Sequence, residues 1–284
     1  MSSRIELSGV GQTFLVRGND DRKLREFVAL DDLSIDVRAG EFLTVVGPSG
    51  CGKSTVLDLI AGLTKPSSGT VSVDGRVITG PGLDRSVVFQ QYTLLPWRTA
   101  QANIEFALEA GKKGDRLSKA QRAERARTYL ELVGLTDFAN RYPHELSGGM
   151  KQRVAIARSL SYQPEVLLMD EPFGALDAQT RERLQEELVS IWERTGTTVV
   201  FITHDIEEAV FLGQRVAVMS ARPGRIEEVI DVQLDRSRAN DLDLRATPEF
   251  AAYRHRIWTL LREQQVGAVA DKKEAREKET AHVA

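Results

Sequence analysis

The sequence has few of the features that place a protein outside a reducing, aqueous compartment. It contains one cysteine, Cys51, so no disulfide can form within a single chain. No apolar run reaches the roughly eighteen residues that a membrane-spanning helix needs. The start, MSSRIELSG, lacks the apolar core of a signal peptide. We therefore expect the chain to remain in the cytoplasm.

A strong excess of one charge is also absent. Lysine and arginine together number 38 against 41 for aspartate and glutamate, which leaves a formal net charge of −3. This balance gives no general reason to expect nucleic acid as a partner. The four histidines and the cysteine show no metal-ligand spacing. Apolar residues make up 42% of the 284 residues, which is typical of a globular protein with a substantial core.

Alternating strand and helix patterns predict an α/β fold. The runs EFLTVVG, SVVFQ, VLLMD, TVVFITH and RVAVMS are apolar enough for strands that are buried on both faces, which favours a mainly parallel sheet. Before them, IELSGV, TFLV and LSIDV predict short antiparallel strands, with the charged stretch GNDDRKLRE as a long exposed loop. TVSVDGRVI is typical of a hairpin with Asp-Gly at its turn. An N-terminal antiparallel β subdomain is expected to precede the main sheet.

A helical block interrupts the strands between about residues 92 and 161. A capping box from Ser118 to Gln121 opens one of its helices, and Gly134 is expected to end that helix. Because strand patterns flank the block on both sides, we expect a helical subdomain inserted between two strands of the main sheet.

The chain is expected to contain one large domain and a tail. The main domain spans residues 1–234, and residues 235–284 form a C-terminal helical tail. The tail helix should open at Thr247-Pro248-Glu249, because proline is favoured in the first turn of a helix. Its charged end, from Asp271, is expected to fray.

The stretch GPSGCGKS matches the phosphate-binding P-loop pattern G-x-x-x-x-G-K-[ST]. It lies between a predicted strand and a predicted helix, so backbone N–H groups would surround a phosphate. Lys53 would reach the β- and γ-phosphates, and the Ser54 hydroxyl would bind Mg²⁺. The alternative is an ordinary glycine-rich turn. The candidate ATP ligands of this loop are Gly47, Pro48, Ser49, Gly50, Cys51, Gly52, Lys53, Ser54 and Thr55.

Two carboxylates follow the buried strand VLLMD. Asp170 can hold Mg²⁺ through its water shell, and Glu171 can orient and deprotonate a water molecule that attacks the γ-phosphate. Taken alone, Asp-Glu-Pro at a strand end is more often a solvated turn. The P-loop in the same chain makes the catalytic interpretation the better one.

A second anion-binding pattern lies about a hundred residues after the first. In LSGGMKQR, the residues Ser147, Gly148 and Gly149 stand at a predicted helix start, where free N–H groups and the helix dipole favour a γ-phosphate. The sequence alone does not say whose nucleotide they would bind. A small-molecule kinase would explain the P-loop but has no use for this second pattern.

With these motifs in this order, the chain resembles the ATP-binding subunits of ABC transporters. The resemblance extends to about Ser220, and LSGG between a P-loop and VLLMDEP is a highly specific signature. It implies that two copies pack head to tail, so that the LSGG of each closes over the ATP held by the P-loop of the other. One chain alone would be catalytically incomplete.

The resemblance also assigns roles to four further residues. Gln90 is similar to the glutamine that senses Mg²⁺ and the attacking water, and His204 to the switch histidine that contacts the γ-phosphate. Phe14 is similar to the aromatic residue that stacks on adenine, although it could instead be a core residue of its strand. Asp177 is similar to the aspartate that crosses the dimer interface. The implied metal ligands are Ser54, Gln90 and Asp170, and the implied catalytic residues are Glu171, His204 and Gln90.

Transport would need partners, because this chain cannot form a pore. The segment from Leu94 to Ile104 is similar to the region that, in members of this family, forms part of the groove for a short helix of the membrane-spanning permease. Trp97, within it, could instead fill the core of the helical subdomain. The wording of the motifs resembles the ATPases of bacterial nitrate, sulfonate and taurine importers, which act with an extracytoplasmic substrate-binding protein. Such a subunit lies peripherally on the cytoplasmic face of the inner membrane.

A different class of function shares this ATPase fold. Some ABC-type ATPases act in translation or DNA repair rather than in transport. They usually carry two ATPase halves or a long coiled-coil insertion. This sequence has one P-loop, one LSGG and no heptad insertion, which favours the transport subunit.

Overall fold

The computed structural model describes residues 2–17, 24–109, 117–234 and 244–281, with side chains as far as Gln264. The strands of these ranges are β1 (Ile5–Arg17), β2 (Leu24–Val37), β3 (Phe42–Val46), β4 (Ser68–Val73), β5 (Arg76–Val77), β6 (Arg85–Val88), β7 (Val166–Asp170), β8 (Thr198–Thr203), β9 (Arg215–Met219) and β10 (Ile226–Asp231). The α-helices are α1 (Lys53–Ala61), α2 (Ala100–Glu109), α3 (Lys119–Leu132), α4 (Gly148–Leu160), α5 (Ala178–Thr195), α6 (Ile206–Leu212) and α7 (Pro248–Ala281). No helix among the described residues is long and apolar enough to cross a membrane.

The N-terminal strands form an antiparallel sheet in the order β2-β1-β4-β5. The first two of the three predicted short strands are continuous in β1. The strand runs on through register shifts between Leu7 and Thr13, and Gly9 adopts a left-handed φ of 57° at the first of them. The predicted loop GNDDRKLRE is shorter than expected. Leu24 to Glu26 belong to β2, and residues 18–23 lie outside the described residues. The Asp74-Gly75 hairpin turn is confirmed between β4 and β5.

The main sheet has the order β10-β9-β3-β8-β7-β6, and every neighbouring pair from β9 to β6 is parallel. Side chains along each strand alternate between two cores. In β3, Leu43 and Val45 pack towards α1 and the antiparallel sheet, whereas Phe42 and Val46 pack towards α2–α7. Both faces are therefore buried, and the predicted α/β fold with a mainly parallel sheet is confirmed.

The carboxyl ends of five neighbouring strands place the candidate residues along one edge of this sheet. In sheet order, the residues that follow β9, β3, β8, β7 and β6 include Arg222, the P-loop, His204, Glu171 and Gln90. Because parallel strands end on the same side, residues far apart in sequence meet at this edge.

The helical block between β6 and β7 contains α2, α3 and α4. The capping box at Ser118 is present, and Gly134 follows the end of α3 with a φ of 66°. The first helix begins at Ala100 rather than near residue 92. Residues 95–99 instead form a loop whose backbone is held by Asn103, a fully buried side chain that bonds to Leu95, Arg98 and Thr99. Trp97 in this loop is 70% exposed, so it does not fill the helical core.

The C-terminal tail packs its first part onto the main domain. Phe250 and Ile257 of α7 are buried in the same core as α5 and α6. The domain boundary expected at residue 234 is followed by residues 235–243, which lie outside the described residues. The boundary therefore stays a prediction. The backbone is helical as far as Ala281, and the side chains from residue 265 lie outside the described residues, so the fraying of this end stays a prediction.

Candidate functional site

The P-loop, residues 47–54, joins the end of β3 to the start of α1. Two of its glycines adopt left-handed conformations, with φ 72° at Gly50 and 105° at Gly52. The loop is compact because Lys53 Nζ donates to Gly47 O at 2.8 Å and to Pro48 O at 3.1 Å. Lys53 is buried, whereas Ser49, Gly50 and Ser54 face solvent. The positive charge is thus held inside a loop whose rim remains accessible to a ligand.

Burial also keeps the Cys51 thiol away from solvent and from dissolved reagents. Its side chain is 1% exposed, and burial raises the pKa of its thiol. A protonated, enclosed thiol is a poor nucleophile, so Cys51 serves as packing in the loop.

Arg222, from the loop after β9, braces the P-loop from outside. Its Nε donates to Gly50 O at 2.6 Å, and its guanidinium lies 4.7 Å from the centre of the Phe27 ring. A Cβ atom at Gly50 would lie 2.5 Å from Arg222 Nη2, so the close approach needs glycine. No local pattern pointed to Arg222, because the contact joins residues 172 apart in sequence.

Phe14 lies on β1 directly opposite Phe27 on β2. Directly opposed residues of antiparallel strands point to the same face, so Phe14 shares the face on which Arg222 reaches the P-loop. Phe14 is 36% exposed and is therefore not a core residue of its strand. An accessible aromatic ring stands on the P-loop side of the antiparallel sheet.

The Ser54 hydroxyl lies beside the Asp170 carboxylate, to which it can donate a hydrogen bond. Burial raises the pKa of the Asp170 carboxyl, and the bond from Ser54 opposes that shift. Burial and the nearby charge of Asp170 also raise the pKa of Asp58 on α1. A hydroxyl and a carboxylate in contact beside a phosphate loop form the oxygen-rich donor set that Mg²⁺ prefers.

Glu171, one residue further, turns towards the end of β8. Its Oε2 lies 2.9 Å from His204 Nδ1, and its backbone adopts a left-handed φ of 43°, which is unusual for a glutamate. The His204 side chain is 60% exposed. Gln90 approaches from β6, because a Cβ atom at Gly174 would meet Gln90 Nε2 at 3.6 Å and the carbonyl oxygen of Glu171 at 3.4 Å. Glu171, His204 and Gln90 therefore converge beside the P-loop edge.

The second anion-binding pattern lies at the start of α4. Ser147 caps the helix by accepting a hydrogen bond from Met150 N at 3.3 Å. Ser147 is exposed, and it lies on a groove of about 450 Å³ with Gly149, Thr180 and Arg183. The residues that line this groove are Ser147, which directly precedes α4, and residues of α4 and α5; none belongs to the P-loop. Within the described part of one chain, the two phosphate-binding patterns thus face separate spaces.

Asp177 caps α5 and accepts a hydrogen bond from Thr180 N at 2.9 Å. This backbone bond lowers the pKa of the Asp177 carboxyl. The side chain is exposed, and its partner Thr180 lines the groove of Ser147.

Two contacts that the sequence did not indicate tie α4 to the loop after Gln90. A Cβ atom at Gly148 would lie 3.1 Å from Tyr92 Oη, and Arg158 Nη1 donates to Thr93 O at 2.7 Å. Burial lowers the pKa of Arg158, yet its bonds to Thr93 keep the guanidinium partnered. Both ends of the LSGG helix are therefore fixed to the Gln90 loop.

Comparison with known proteins identifies the family of this chain. The family described as ABC transporter matches residues 30–174. The nitrate import ATP-binding protein NrtD of Synechocystis is 52% identical over 83% of this chain and 88% of its own length. An ABC transporter ATP-binding protein of Methanocaldococcus jannaschii is 48% identical over 93% of each chain.

Among solved structures, the ATP-binding cassette MJ0796 in a dimeric post-hydrolysis state, bound to ADP and Pi, has a TM-score of 0.69 and 35% identity. That match covers 81% of this chain and 99% of the cassette. Sequence and fold agree with these relatives, and the chain belongs to the ABC transporter family as an ATP-binding ATPase.

Proposed function

We propose that the chain powers an importer as a head-to-tail pair, in which Ser147, Gly148 and Gly149 of each copy complete the ATP site of the other. The observation that carries this proposal is the separation of the two phosphate-binding patterns within one chain. The dimeric state of the related cassette supports it. In this arrangement Asp177, exposed beside the Ser147 groove, lies at the interface between copies.

Within each site, the P-loop residues bind the phosphates and Phe14 stacks on the adenine. Ser54, Asp170 and Gln90 would hold Mg²⁺, whose charge would offset that of the phosphates. Glu171 accepts the proton of the attacking water, and His204 holds the Glu171 carboxylate through its Nδ1 and contacts the γ-phosphate. Because the far side of the γ-phosphate is closed only by the partner's LSGG, hydrolysis requires both copies.

The loop of residues 95–99 is the proposed contact with the permease. Trp97 is exposed on a loop whose shape is fixed from beneath by Asn103, and Arg98 stacks on the exposed Phe106 at 4.8 Å. A rigid, aromatic surface outside the core suits a protein partner. ATP-driven closing of the dimer would thus move the permease between its two access states.

The transported solute is proposed from resemblance. The motif wording and the nitrate import relative support nitrate, sulfonate or taurine-like anions, delivered by an extracytoplasmic substrate-binding protein. The chain would then act at the cytoplasmic face of the bacterial inner membrane.

The test is affinity purification of the tagged chain from detergent-solubilised membranes of its native host. A co-purifying membrane-spanning protein is expected, and liposomes holding that complex should take up one of these anions only with ATP inside. Trp97→Glu should abolish co-purification and keep ATP binding. Leu63→Glu, at a 52% exposed residue away from the loop, is the control that should change neither. Recovery of only soluble ribosomal or DNA-repair partners would overturn the proposal.

A further inference from the structure

The switch histidine is attached directly to a short helix that carries three carboxylates. His204 precedes Asp205, the residue that caps α6 by accepting bonds from Glu207 N and Glu208 N at 2.9 and 3.3 Å. Any shift of α6 therefore moves the backbone of His204. What holds α6 in place determines where the histidine points.

Two of the three carboxylates are held by residues of the C-terminal tail, directly or through one side chain. Glu207 pairs with Arg254 of α7, whose Nη1 lies 2.8 Å from Glu207 Oε1. Glu208 accepts a hydrogen bond from Gln185 Nε2 at 3.0 Å, and Gln185 Oε1 in turn accepts from Arg245 Nη2 at 2.6 Å. The third carboxylate, Asp205, lies 3.5 Å from Arg181 Nη1 of α5.

Two of the three side chains in this hydrogen-bonded series, Gln185 and Glu208, are buried, and Arg245 is partly buried. Gln185 is 3% exposed and Glu208 is 5% exposed, so each needs its partner to remain stable inside the protein. Arg245 also lies 4.2 Å from the centre of the Phe211 ring, on the last turn of α6. Arg254 and Arg245 of the C-terminal tail therefore hold α6 near both of its ends, at the acidic start and at Phe211 in the last turn.

The tail also lies next to the histidine itself. His204, Glu207, Arg254, His255 and Trp258 line one groove of about 830 Å³. The apolar side chains Phe250 and Ile257 anchor this part of α7 in the core, which fixes Arg254 relative to the sheet.

We propose that Arg245 and Arg254 are positioning residues for His204, so that residues 245–254 set the rate of ATP hydrolysis by holding α6 in place. Neither residue touches nucleotide in this account. The proposal rests on the role proposed for His204, and it does not depend on which solute is transported. It gives the C-terminal tail a catalytic purpose beyond packing.

The test exchanges the charges of the exposed pair in the full chain. Arg254→Glu is expected to lower kcat by about threefold to tenfold, with the ATP Kd changed less than about twofold, because the repulsion displaces α6 and leaves the P-loop intact. The double variant Glu207→Arg with Arg254→Glu restores the attraction and is expected to recover kcat to within about twofold of the original.

Matched variants separate positioning from simple destabilisation. Arg262 lies on the same helix, with its guanidinium 5.0 Å from the centre of the Trp258 ring. The variant Arg262→Glu should leave kcat unchanged. Arg245→Met removes the donor to Gln185 and is expected to lower kcat by about tenfold, while Arg245→Lys retains a donor and loses less. Thermal unfolding of every variant shows whether a loss of kcat exceeds what lowered stability explains.

These measurements can refute either the role of the tail or the role of the histidine. A charge exchange that fails to restore kcat, or an Arg254→Glu variant that alters the ATP Kd as much as kcat, overturns the positioning role. His204→Ala measured alongside identifies the source of a failure. Full turnover in His204→Ala refutes the role of the histidine, whereas a strong loss there with normal Arg254→Glu turnover refutes only the role of the tail.

Discussion

His204 Nδ1 lies 2.9 Å from Glu171 Oε2, although the two residues follow different strands and are 33 positions apart in sequence. The pair stands at the edge where β8 and β7 end side by side, next to the P-loop at the end of β3. A carboxylate held in this way has one oxygen occupied and another available for a water molecule.

Ser147→Ala should abolish ATP-dependent pairing of two chains. Ser118 is its matched control, because both serines cap a helix by accepting a bond from a backbone N–H at 3.3 Å. Each alanine is expected to lower the free energy of unfolding by about 1 kcal/mol. Only Ser147→Ala should also lose ATP-dependent dimerisation in light scattering. Equal dimerisation of both variants would refute a γ-phosphate role for Ser147.

Phe14→Ala should weaken ATP binding without changing the fold. An aromatic ring that stacks on a base contributes about 1–3 kcal/mol, so the Kd for ATP should rise by about fivefold or more. Leu15→Ala is the control, because Leu15 is the next residue of β1, is 67% exposed and points to the other face of the strand. Titration calorimetry with ATP distinguishes the two. Equal Kd values for both variants would return Phe14 to a purely structural role.

Gly50→Ala should damage the P-loop more than its backbone strain explains. Gly50 and Gly75 have nearly the same φ, 72° and 73°, but only at Gly50 would a Cβ atom meet Arg222. Alanine at either position is expected to cost about 1 kcal/mol of stability through the left-handed conformation. Only Gly50→Ala should also displace Arg222 and weaken ATP binding. Normal ATP affinity in Gly50→Ala would show that the Arg222 contact is dispensable.

Asp170→Asn should stabilise the nucleotide-free protein at neutral pH. Burial raises the folded-state pKa of Asp170 above its unfolded value, so the folded state binds more protons between the two values. The unfolding free energy contributed by this group therefore falls as pH rises through that interval. Asparagine removes the cost of the buried charge, and the unfolding temperature should rise at pH 7.

The gain should shrink as pH falls below the ordinary aspartate pKa of about 3.9, because the carboxyl then becomes protonated in both states. Asp177→Asn should act in the opposite direction, because the Thr180 N–H lowers the pKa of that carboxyl and its ionised form stabilises the fold above the ordinary pKa. Differential scanning calorimetry at several pH values provides the readout. A gain for Asp170→Asn that does not depend on pH would contradict the burial of this charge.

Local patterns predicted the elements well where the physics is local. The capping box at Ser118, the Asp74-Gly75 turn and the strand that ends at Asp170 depend on neighbouring residues, and the structure confirms them. The P-loop is equally local, because its glycines and Lys53 bond within eight residues.

Contacts that cross the chain could not be predicted in this way. Arg222 reaches Gly50 from 172 residues away, and Arg245 reaches Gln185 from 60 residues away, with no periodic pattern to mark either. The helical pattern that begins near residue 92 also covers the loop around Trp97. In the sequence, the buried Asn103 that fixes this loop cannot be told apart from an ordinary polar residue of a helix. Tertiary structure decides such positions.

The central claim is that one chain holds two halves of two different ATP sites. Light scattering of Glu171→Gln with and without Mg-ATP tests it most directly, because this variant should bind ATP but not hydrolyse it. The expected result is a shift from one chain to two on adding Mg-ATP, with no shift when Ser147→Ala is introduced into the same variant. A mass that stays at one chain while bound Mg-ATP saturates the P-loop would contradict the claim.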